Sequence, residues 1–151
     1  MKTRFLFVGR TRYRLPLDES RRRKFAALAN VADIRVLASA PAGASRGDDV
    51  FTLVRPFPVR ALDGVAFHAL LPWRVAREIR SFEPTVVLVQ GAHEAALVLV
   101  GRRLARSRVP VVLDVHGDWR TATRLYGSPA RRLHRSWAAG GRGWRSRGEA
   151  V

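Results

Sequence analysis

Cysteine is absent from this 151-residue sequence, which excludes a disulfide-stapled fold and a thiolate metal site. No apolar run approaches the roughly 20 residues that a membrane-spanning helix requires. The run near the amino terminus stops at Val8 and is too short for a signal-peptide core. We therefore expect a cytoplasmic protein in a reducing compartment, with peripheral attachment to the inner face of a membrane as an open possibility.

Several catalytic motifs are also missing. The sequence has no Walker lysine pattern and no Gly-x-Gly-x-x-Gly, so nucleotide binding by this chain is not expected. Its one Gly-x-Ser-x-Gly match, at 43–47, lies in a loop-like stretch rather than at a strand-to-helix elbow, so serine-nucleophile chemistry is not expected either. His93 with Glu94, and Asp114 with His116, resemble metallophosphatase elements, but in reversed order and without a third ligand cluster. We expect no metal and no cofactor, and a small metal-dependent hydrolase remains an alternative.

Lysine is nearly absent although the chain is strongly basic. Only Lys2 and Lys24 are lysines among 28 basic residues, and the net charge is +16. The arginines are scattered, and no zinc finger, basic zipper or RNA-binding aromatic motif is present. This pattern favours a solvated basic surface with affinity for anionic lipid or phosphorylated substrates. A stand-alone basic α/β module that binds anionic lipid or nucleic acid remains the alternative.

Three short β-branched apolar runs dominate the pattern of the chain, and each ends in glycine and polar residues. They are Phe5 to Val8, Val86 to Val89 and Val111 to Leu113. Continuous apolar runs of this length are typical of strands that are buried on both faces, and helix-like sequence follows each one. The alternation predicts an α/β, Rossmann-like parallel sheet with helices on both faces, and a ligand site at the carboxyl ends of the strands.

The remaining elements follow from periodicity and capping residues. Strand one is expected over about Arg4–Val8, with a polar loop from Gly9 onward. A helix over Trp73–Phe82 is predicted to begin at Pro72, after a mixed stretch at 61–71. Further predicted strands are 33–38 and 50–54, and further helices start at Asp18 or Ser20 and at Ala92.

His116 is the candidate catalytic residue. It follows the last buried strand, where an imidazole can donate to a sugar hydroxyl or a phosphate oxygen, and Gly117 permits close approach of a ligand. The competing interpretation is a histidine that satisfies a buried loop carbonyl. Asp118 is counted with them as a substrate-binding candidate, although capping of a turn is its simplest role.

Two further sets of residues are functional candidates. Arg10, Arg12 and Arg14 alternate after strand one and can hold an anionic or polyhydroxylated acceptor through forked hydrogen bonds; a solvated basic loop is the alternative. A second set has the composition of a membrane-contacting surface, although such residues more often form core. This set is Phe67, Leu70, Leu71 and Trp73, beside Arg60, Arg74 and Arg77.

The last residues differ from the rest. Positions 138–151 lack an apolar period and are rich in glycine and arginine, which predicts a disordered basic tail after a domain at 1–137. A natural tail and an out-of-frame reading of a GC-rich gene are both compatible with this composition.

Residues 1–17, Val89-Gln-Gly-Ala-His-Glu-Ala and Val112-Leu-Asp-Val-His-Gly-Asp-Trp-Arg resemble the amino-terminal domain of family 4 glycosyltransferases. The resemblance covers about residues 2–137. It implies one half of a GT-B architecture, in which two Rossmann-like domains face each other across a cleft. The amino-terminal domain of that family binds the acceptor, and the carboxyl-terminal domain binds the sugar nucleotide. The resemblance therefore implies a sugar or a lipid-linked acceptor as the partner of this chain. Transfer usually retains the anomeric configuration and needs no metal.

The resemblance also assigns site residues. The family's loop after the first strand matches Gly9, Arg10 and Thr11, its polar position after the fourth strand matches Gln90 with Gly91, and its cleft histidine matches His116. The family's donor domain, with its Glu-x7-Glu pattern, is missing from this sequence. We therefore expect a glycosyltransferase half, encoded by a truncated gene, that is inactive or nearly inactive alone.

Overall fold

The computed structural model describes residues 2–44 and 47–114, without the side chains of residues 60 and 61. The chain divides into two compact units, Met1–Asp114 and Val115–Val151. All described residues belong to the first unit.

The first unit is an α/β fold built on a parallel sheet. Its strands, in chain order, are β1 (Thr3–Arg12), β2 (Ala32–Ser39), β3 (Phe51–Val54), β4 (Val86–Val89) and β5 (Val111–Leu113). Its helices are α1 (Glu19–Val31), α2 (Arg60–Phe82) and α3 (Ala92–Leu104). The strand order is β3-β2-β1-β4-β5, and every pair of neighbouring strands is parallel. The predicted parallel arrangement of the three apolar runs is confirmed.

Two hydrophobic clusters lie on opposite faces of the sheet, because alternate side chains of a strand point to opposite sides. Leu6 and Val8 of β1 belong to the cluster that contains the apolar face of α2 and Val98 of α3. The other cluster contains Phe51 and Leu53 of β3, with Phe7 of β1 and Phe25 of α1 packed against it. Helices therefore cover both faces, as predicted.

Strand β1 is longer than its apolar run. The prediction that the strand ends at Val8 is wrong, because the strand continues to Arg12. The register with β2 is irregular between Val8 and Arg12, and Arg12 then pairs with Ser39. The backbone N–H of Tyr13 donates to the carbonyl of Ser39 at 2.9 Å. The polar residues after Val8 are thus held in an extended, bulged segment rather than in a free loop.

Helix α2 is much longer than predicted, and the assignment of 61–71 to a mixed stretch is wrong. The helix runs from Arg60 to Phe82 with Pro72 in its interior. Phe67, Leu71 and Val75 follow one another at four-residue spacing and are buried against the sheet. This continuous apolar face stabilises the helix across the proline, whose cost is one missing N–H donor and local crowding.

Glu78 connects α2 to two strands. Its side chain is 9% exposed and accepts from Nη1 of Arg35 on β2 and from the hydroxyl of Thr52 on β3, each at 3.1 Å. The Arg35 guanidinium also lies 4.6 Å from the centre of the Phe82 ring. A buried carboxylate is tolerated here because both partners are in place.

Helix α1 begins as predicted at Asp18, whose carboxylate accepts from the backbone N–H of Arg21 at 2.9 Å. The described residues contain no helix between β2 and β3; the connection starts with a turn at Pro41. Within the described ranges, no helix combines the length and the apolar content needed to cross a membrane.

Candidate functional site

The strand order reverses direction between β1 and β4. The chain leaving β1 passes to β2 on one side, whereas the chain leaving β4 passes to β5 on the other. The connecting helices α1 and α3 pack on opposite faces of the sheet. The chain segments that follow β1 and β4 therefore diverge and leave a crevice at the carboxyl ends of these two central strands. Ligands bind at this position in open α/β sheets.

Gly9, Thr11, Gln90 and Gly91 form the rim of this crevice. The Thr11 hydroxyl donates to Oε1 of Gln90 at 2.8 Å, and the Gln90 N–H donates to the carbonyl of Val8 at 3.2 Å. A Cβ at Gly9 would lie 2.8 Å from Oε1 of Gln90, so glycine makes room for this side chain. Gly91 is the N-cap of α3. A Cβ at Gly91 would likewise collide with Oε2 of Glu94, so both glycines make room for neighbouring side chains. The rim offers a ligand the hydroxyl of Thr11 and the amide of Gln90.

Asp63 on α2 holds the basic residues of β1. Its Oδ2 lies 3.2 Å from Nη2 of Arg10 and 3.4 Å from Nη2 of Arg12, while its Oδ1 accepts from the N–H of Phe57 at 2.8 Å. The Phe57 hydrogen bond, together with the two arginines, holds the pKa of the Asp63 carboxyl below its usual value, against an opposing effect of burial. Asp63 therefore stays ionised and fixes both arginines beside the rim.

A second polar pair joins α2 to the start of α3. Nδ1 of His68 lies 2.7 Å from the carbonyl oxygen of Gly64, and Nε2 lies 3.1 Å from Oε1 of Glu94. The His68 ring therefore connects the first half of α2 to Glu94 in the first turn of α3, one turn after Gly91.

A pocket of about 560 Å³ opens beside Arg12 at the ends of β2 and β3. Its walls are the turn at 40–44, the loop at 55–58 and Asp63. The volume lies in the range that accommodates a small ligand. Among the described residues, no three His, Cys, Asp or Glu side chains lie together in a group that could hold a metal ion.

Residues 22–147 match the model of Glycosyltransferase Family 4, which is most of the chain. The chain belongs to glycosyltransferase family 4. This membership indicates a glycosyltransferase type of function in general, and the α/β fold described above is that of one half of a GT-B enzyme.

Other comparisons add little to the family match. No curated protein matches the chain. The chain is similar to the solved carboxyl-terminal domain of a hydrogenase from Pyrococcus furiosus, with 12% identity over 76% of this chain and 94% of that one, at a TM-score of 0.48. At that identity and score, the likeness says nothing about activity.

The structure brings six of the predicted site residues of this family 4 chain together and does not describe the other three. The four rim residues lie at the crevice, and Arg10 and Arg12 lie beside them on Asp63. The candidate catalytic His116, with Gly117 and Asp118, lies outside the described residues, as do the boundary at 137 and the tail 138–151. The roles of all nine site residues stay predictions.

For two members of the candidate membrane-contacting set, the alternative that they form core is confirmed. Phe67 and Leu71 are 3% and 0% exposed and belong to the core under α2, because they lie on the face of the helix that packs on the sheet. Leu70 and Trp73 lie on the outer face and are 48% and 66% exposed.

Sequence reasoning missed Asp63, His68 and Arg55 as site residues. Asp63 and His68 fall in the first half of α2, which was predicted as a mixed stretch. The spacing of Phe67, Leu71 and Val75 extends the helix upstream through Pro72, and this signal would have placed both polar residues on one element. No sequence pattern indicates Arg55, because its candidate role follows only from its position in the lining of the pocket.

Proposed function

We propose that this domain binds the acceptor in the transfer of a hexosyl group from a sugar nucleotide. The observation that carries the proposal is the rim of Gly9, Thr11, Gln90 and Gly91 at the switch point of a sheet in a family 4 chain. The side chains of Thr11 and Gln90 together offer donors and acceptors to acceptor hydroxyls, and Gly9 leaves the space in which the Gln90 side chain lies.

The proposed reaction is a substitution at the anomeric carbon. The acceptor oxygen forms a bond to that carbon, the bond from the carbon to the nucleotide diphosphate breaks, and the acceptor hydroxyl proton leaves with the nucleotide or passes to solvent. His116 is the proposed residue that contacts the reacting sugar or its phosphate. Because these 151 residues contain neither Glu-x7-Glu nor a phosphate-binding glycine motif, we assign the sugar nucleotide to a second domain outside them.

A titration of the ¹⁵N-labelled 151-residue chain tests the proposal. The probes are a panel of methyl hexosides and, separately, UDP-glucose and GDP-mannose. We expect a hexoside to shift the amide signals of Gly9, Thr11, Gln90 and Gly91, and the sugar nucleotides to leave them in place. Thr11→Val and Gln90→Ala should weaken the hexoside shifts, whereas Leu99→Ala on the exposed side of α3 should not.

The same preparation tests the expected inactivity. Incubation with the responding hexoside and either sugar nucleotide should release no nucleotide diphosphate above the blank, because one domain alone does not assemble both substrates. Steady turnover would overturn the assignment of the donor to a second domain. Binding of the sugar nucleotides at the rim, or the absence of a response to every hexoside, would overturn the acceptor role.

A second candidate interaction, with an anionic membrane surface, is favoured by the outer face of α2. Val65 and Trp73 are each 66% exposed, and Leu62 and Leu70 are each 48% exposed. Arg77 is exposed on the same face toward the end of the helix. Exposed tryptophan and aliphatic side chains beside arginines suit the interface of a bilayer with anionic headgroups.

Co-sedimentation with phosphatidylglycerol vesicles, compared with phosphatidylcholine vesicles, tests this second candidate. We expect binding to the former that Trp73→Ala reduces several-fold. Val31→Ala is the matched control, because Val31 is 72% exposed at the end of α1. Equal losses in the two variants, or no binding at low salt, would remove the candidate.

A further inference from the structure

The pocket at the ends of β2 and β3 lies next to the rim but is distinct from it. Strand β1 separates the two, since Thr11 reaches Gln90 while Arg10 and Arg12 on either side of it reach Asp63. Arg12 and Asp63 also line the pocket. A ligand that binds at the rim through a hydroxyl group can therefore place another group in this neighbouring pocket, which has a different chemical lining.

The pocket carries an excess of positive charge. Arg12 and Arg55 line it, and Asp63 is the single acidic side chain among the described lining residues. Asp63 already accepts from Arg10, Arg12 and the N–H of Phe57, so its charge is shared between two guanidinium groups. Arg55 is exposed and has no hydrogen bond or ion pair to any other described residue. With Arg10 included, three guanidinium groups face one carboxylate.

The rest of the lining is apolar and conformationally restricted. Pro41, Pro56 and Pro58 line the pocket, and proline fixes the backbone φ angle. Phe57 between two of these prolines is 44% exposed, and aromatic side chains supply large apolar contact area to a ligand. The same residue donates its N–H to Asp63, so the loop and the charged group are fixed together.

We propose that this pocket binds a phosphate group carried by the acceptor, and that the acceptor is a phosphorylated sugar or polyol. The inference rests on the proposed acceptor role of the rim. Forked guanidinium groups bind phosphate through paired charge-assisted hydrogen bonds. Three guanidinium groups and one carboxylate, those of Arg10, Arg12, Arg55 and Asp63, leave two net positive charges, which match a phosphate monoester. The phosphate belongs either to a soluble sugar phosphate or to a lipid headgroup.

Calorimetric titration of the 151-residue chain tests the phosphate specificity with glucose 6-phosphate, glucose and inorganic phosphate. We expect glucose 6-phosphate to bind at least about tenfold more tightly than glucose, and more tightly than phosphate alone. Arg55→Gln should remove most of this preference and leave glucose binding unchanged. Arg103→Gln is the matched control, because it removes the same charge from an exposed position on α3.

A second variant keeps the test independent of folding. Arg55→Lys retains the charge but lacks the fork, and we expect it to recover only part of the preference. Circular dichroism of each variant reports whether the fold is intact. To separate the two phosphate sources, phosphatidylglycerol vesicles are added to the same variants. A lipid source predicts that Arg55→Gln weakens vesicle binding more than Arg103→Gln does, and a soluble source predicts equal losses of vesicle binding in the two variants.

Each result decides between the two proposals. Equal binding of glucose and glucose 6-phosphate, or equal losses in Arg55→Gln and Arg103→Gln, would overturn the phosphate pocket while leaving an acceptor role for neutral sugars intact. The absence of rim shifts with every sugar and sugar phosphate would instead overturn the acceptor role itself.

Discussion

Asp63 is the residue that organises the basic side of the site. It receives donors from a loop and from two arginines of β1, and its side chain is 13% exposed. A carboxylate in this position converts a flexible basic segment into one with fixed guanidinium groups. Its removal should therefore affect both stability and ligand binding.

We predict that Asp63→Asn lowers the free energy of unfolding by about 1.5–3 kcal/mol at neutral pH, the usual range for hydrogen bonds to a charged group. Because the pKa of Asp63 is lowered in the folded state, its contribution is complete above the unfolded pKa and is lost as the pH falls through the folded pKa. The difference between the wild-type protein and the variant should therefore shrink in acid. Urea unfolding across the acid range measures it, with the exposed Asp49→Asn as control. A difference that stays constant with pH would contradict the role of the charge.

Gly9 is required for the geometry of the rim rather than for its backbone conformation. In Gly9→Ala the new Cβ would displace Oε1 of Gln90, which it meets at 2.8 Å, and the Thr11–Gln90 hydrogen bond would be lost. Since the displaced atom ends a flexible side chain, we expect unfolding to change by less than about 1 kcal/mol and hexoside binding to weaken several-fold. Titration by NMR measures the binding.

The control for Gly9→Ala is Thr11→Val, which removes the same hydrogen bond without adding an atom at Gly9. Comparable losses in both variants would assign the effect to the position of Gln90. A large loss of stability in Gly9→Ala would contradict the expected freedom of that side chain.

At the scale of elements, α2 and α3 form the support behind the site. They pack against each other at Gly101, where a Cβ would lie 2.7 Å from the carbonyl oxygen of Pro72 and 2.9 Å from Val75. Arg80 donates to the carbonyl of Leu104 further along the same interface. The close approach at Gly101 sets how near the two helices lie, and the His68–Glu94 pair joins their first halves.

We predict that Gly101→Ala destabilises the fold, although alanine favours a helix over glycine by about 0.5–1 kcal/mol. The contact to backbone forces the helices apart, and overpacking of this kind costs about 1–3 kcal/mol. Urea unfolding should show a net loss that Leu99→Ala, on the exposed side of α3, does not match. A stabilised Gly101→Ala variant would show that the interface opens freely.

At the scale of the whole molecule, the net charge of +16 is carried by arginines distributed over the chain. Several of those described are engaged within the fold, such as Arg10 and Arg12 on Asp63 and Arg35 on Glu78. A dispersed charge attracts any polyanion without selecting a sequence.

We predict weak binding to duplex DNA that is independent of sequence and disappears as salt rises to about 0.2 M. Arg55→Gln and Arg103→Gln should weaken it equally, unlike their expected effects on glucose 6-phosphate. Fluorescence anisotropy over a salt series measures this binding. Tight, sequence-dependent binding would favour the alternative of a nucleic-acid module.

Periodicity predicted the parts of the fold that depend on local pattern. The runs at Val86–Val89 and Val111–Leu113 became strands, because a short apolar run between polar ends has few other ways to be buried. Asp18 capped α1 because its carboxylate reaches an N–H three residues ahead. The prediction from local sequence was wrong at Pro72. The proline indicated a helix start, but the helix continues on both sides of Pro72 because its apolar face is buried on both sides.

The sequence by itself therefore determined the alternation of strands and helices, the parallel sheet and the edge at which Gly9 and Gln90 lie. Strands that alternate with helices pair in parallel through right-handed connections, which brings their carboxyl ends to one edge even for strands as far apart in the chain as β1 and β4. Only the tertiary structure decided that Asp63 fixes Arg10 and Arg12, that Arg55 lines a pocket and that Phe67 is core. Those facts depend on residues about 50 positions apart meeting across the sheet edge, as Arg10 and Asp63 do, and no local period encodes such a meeting.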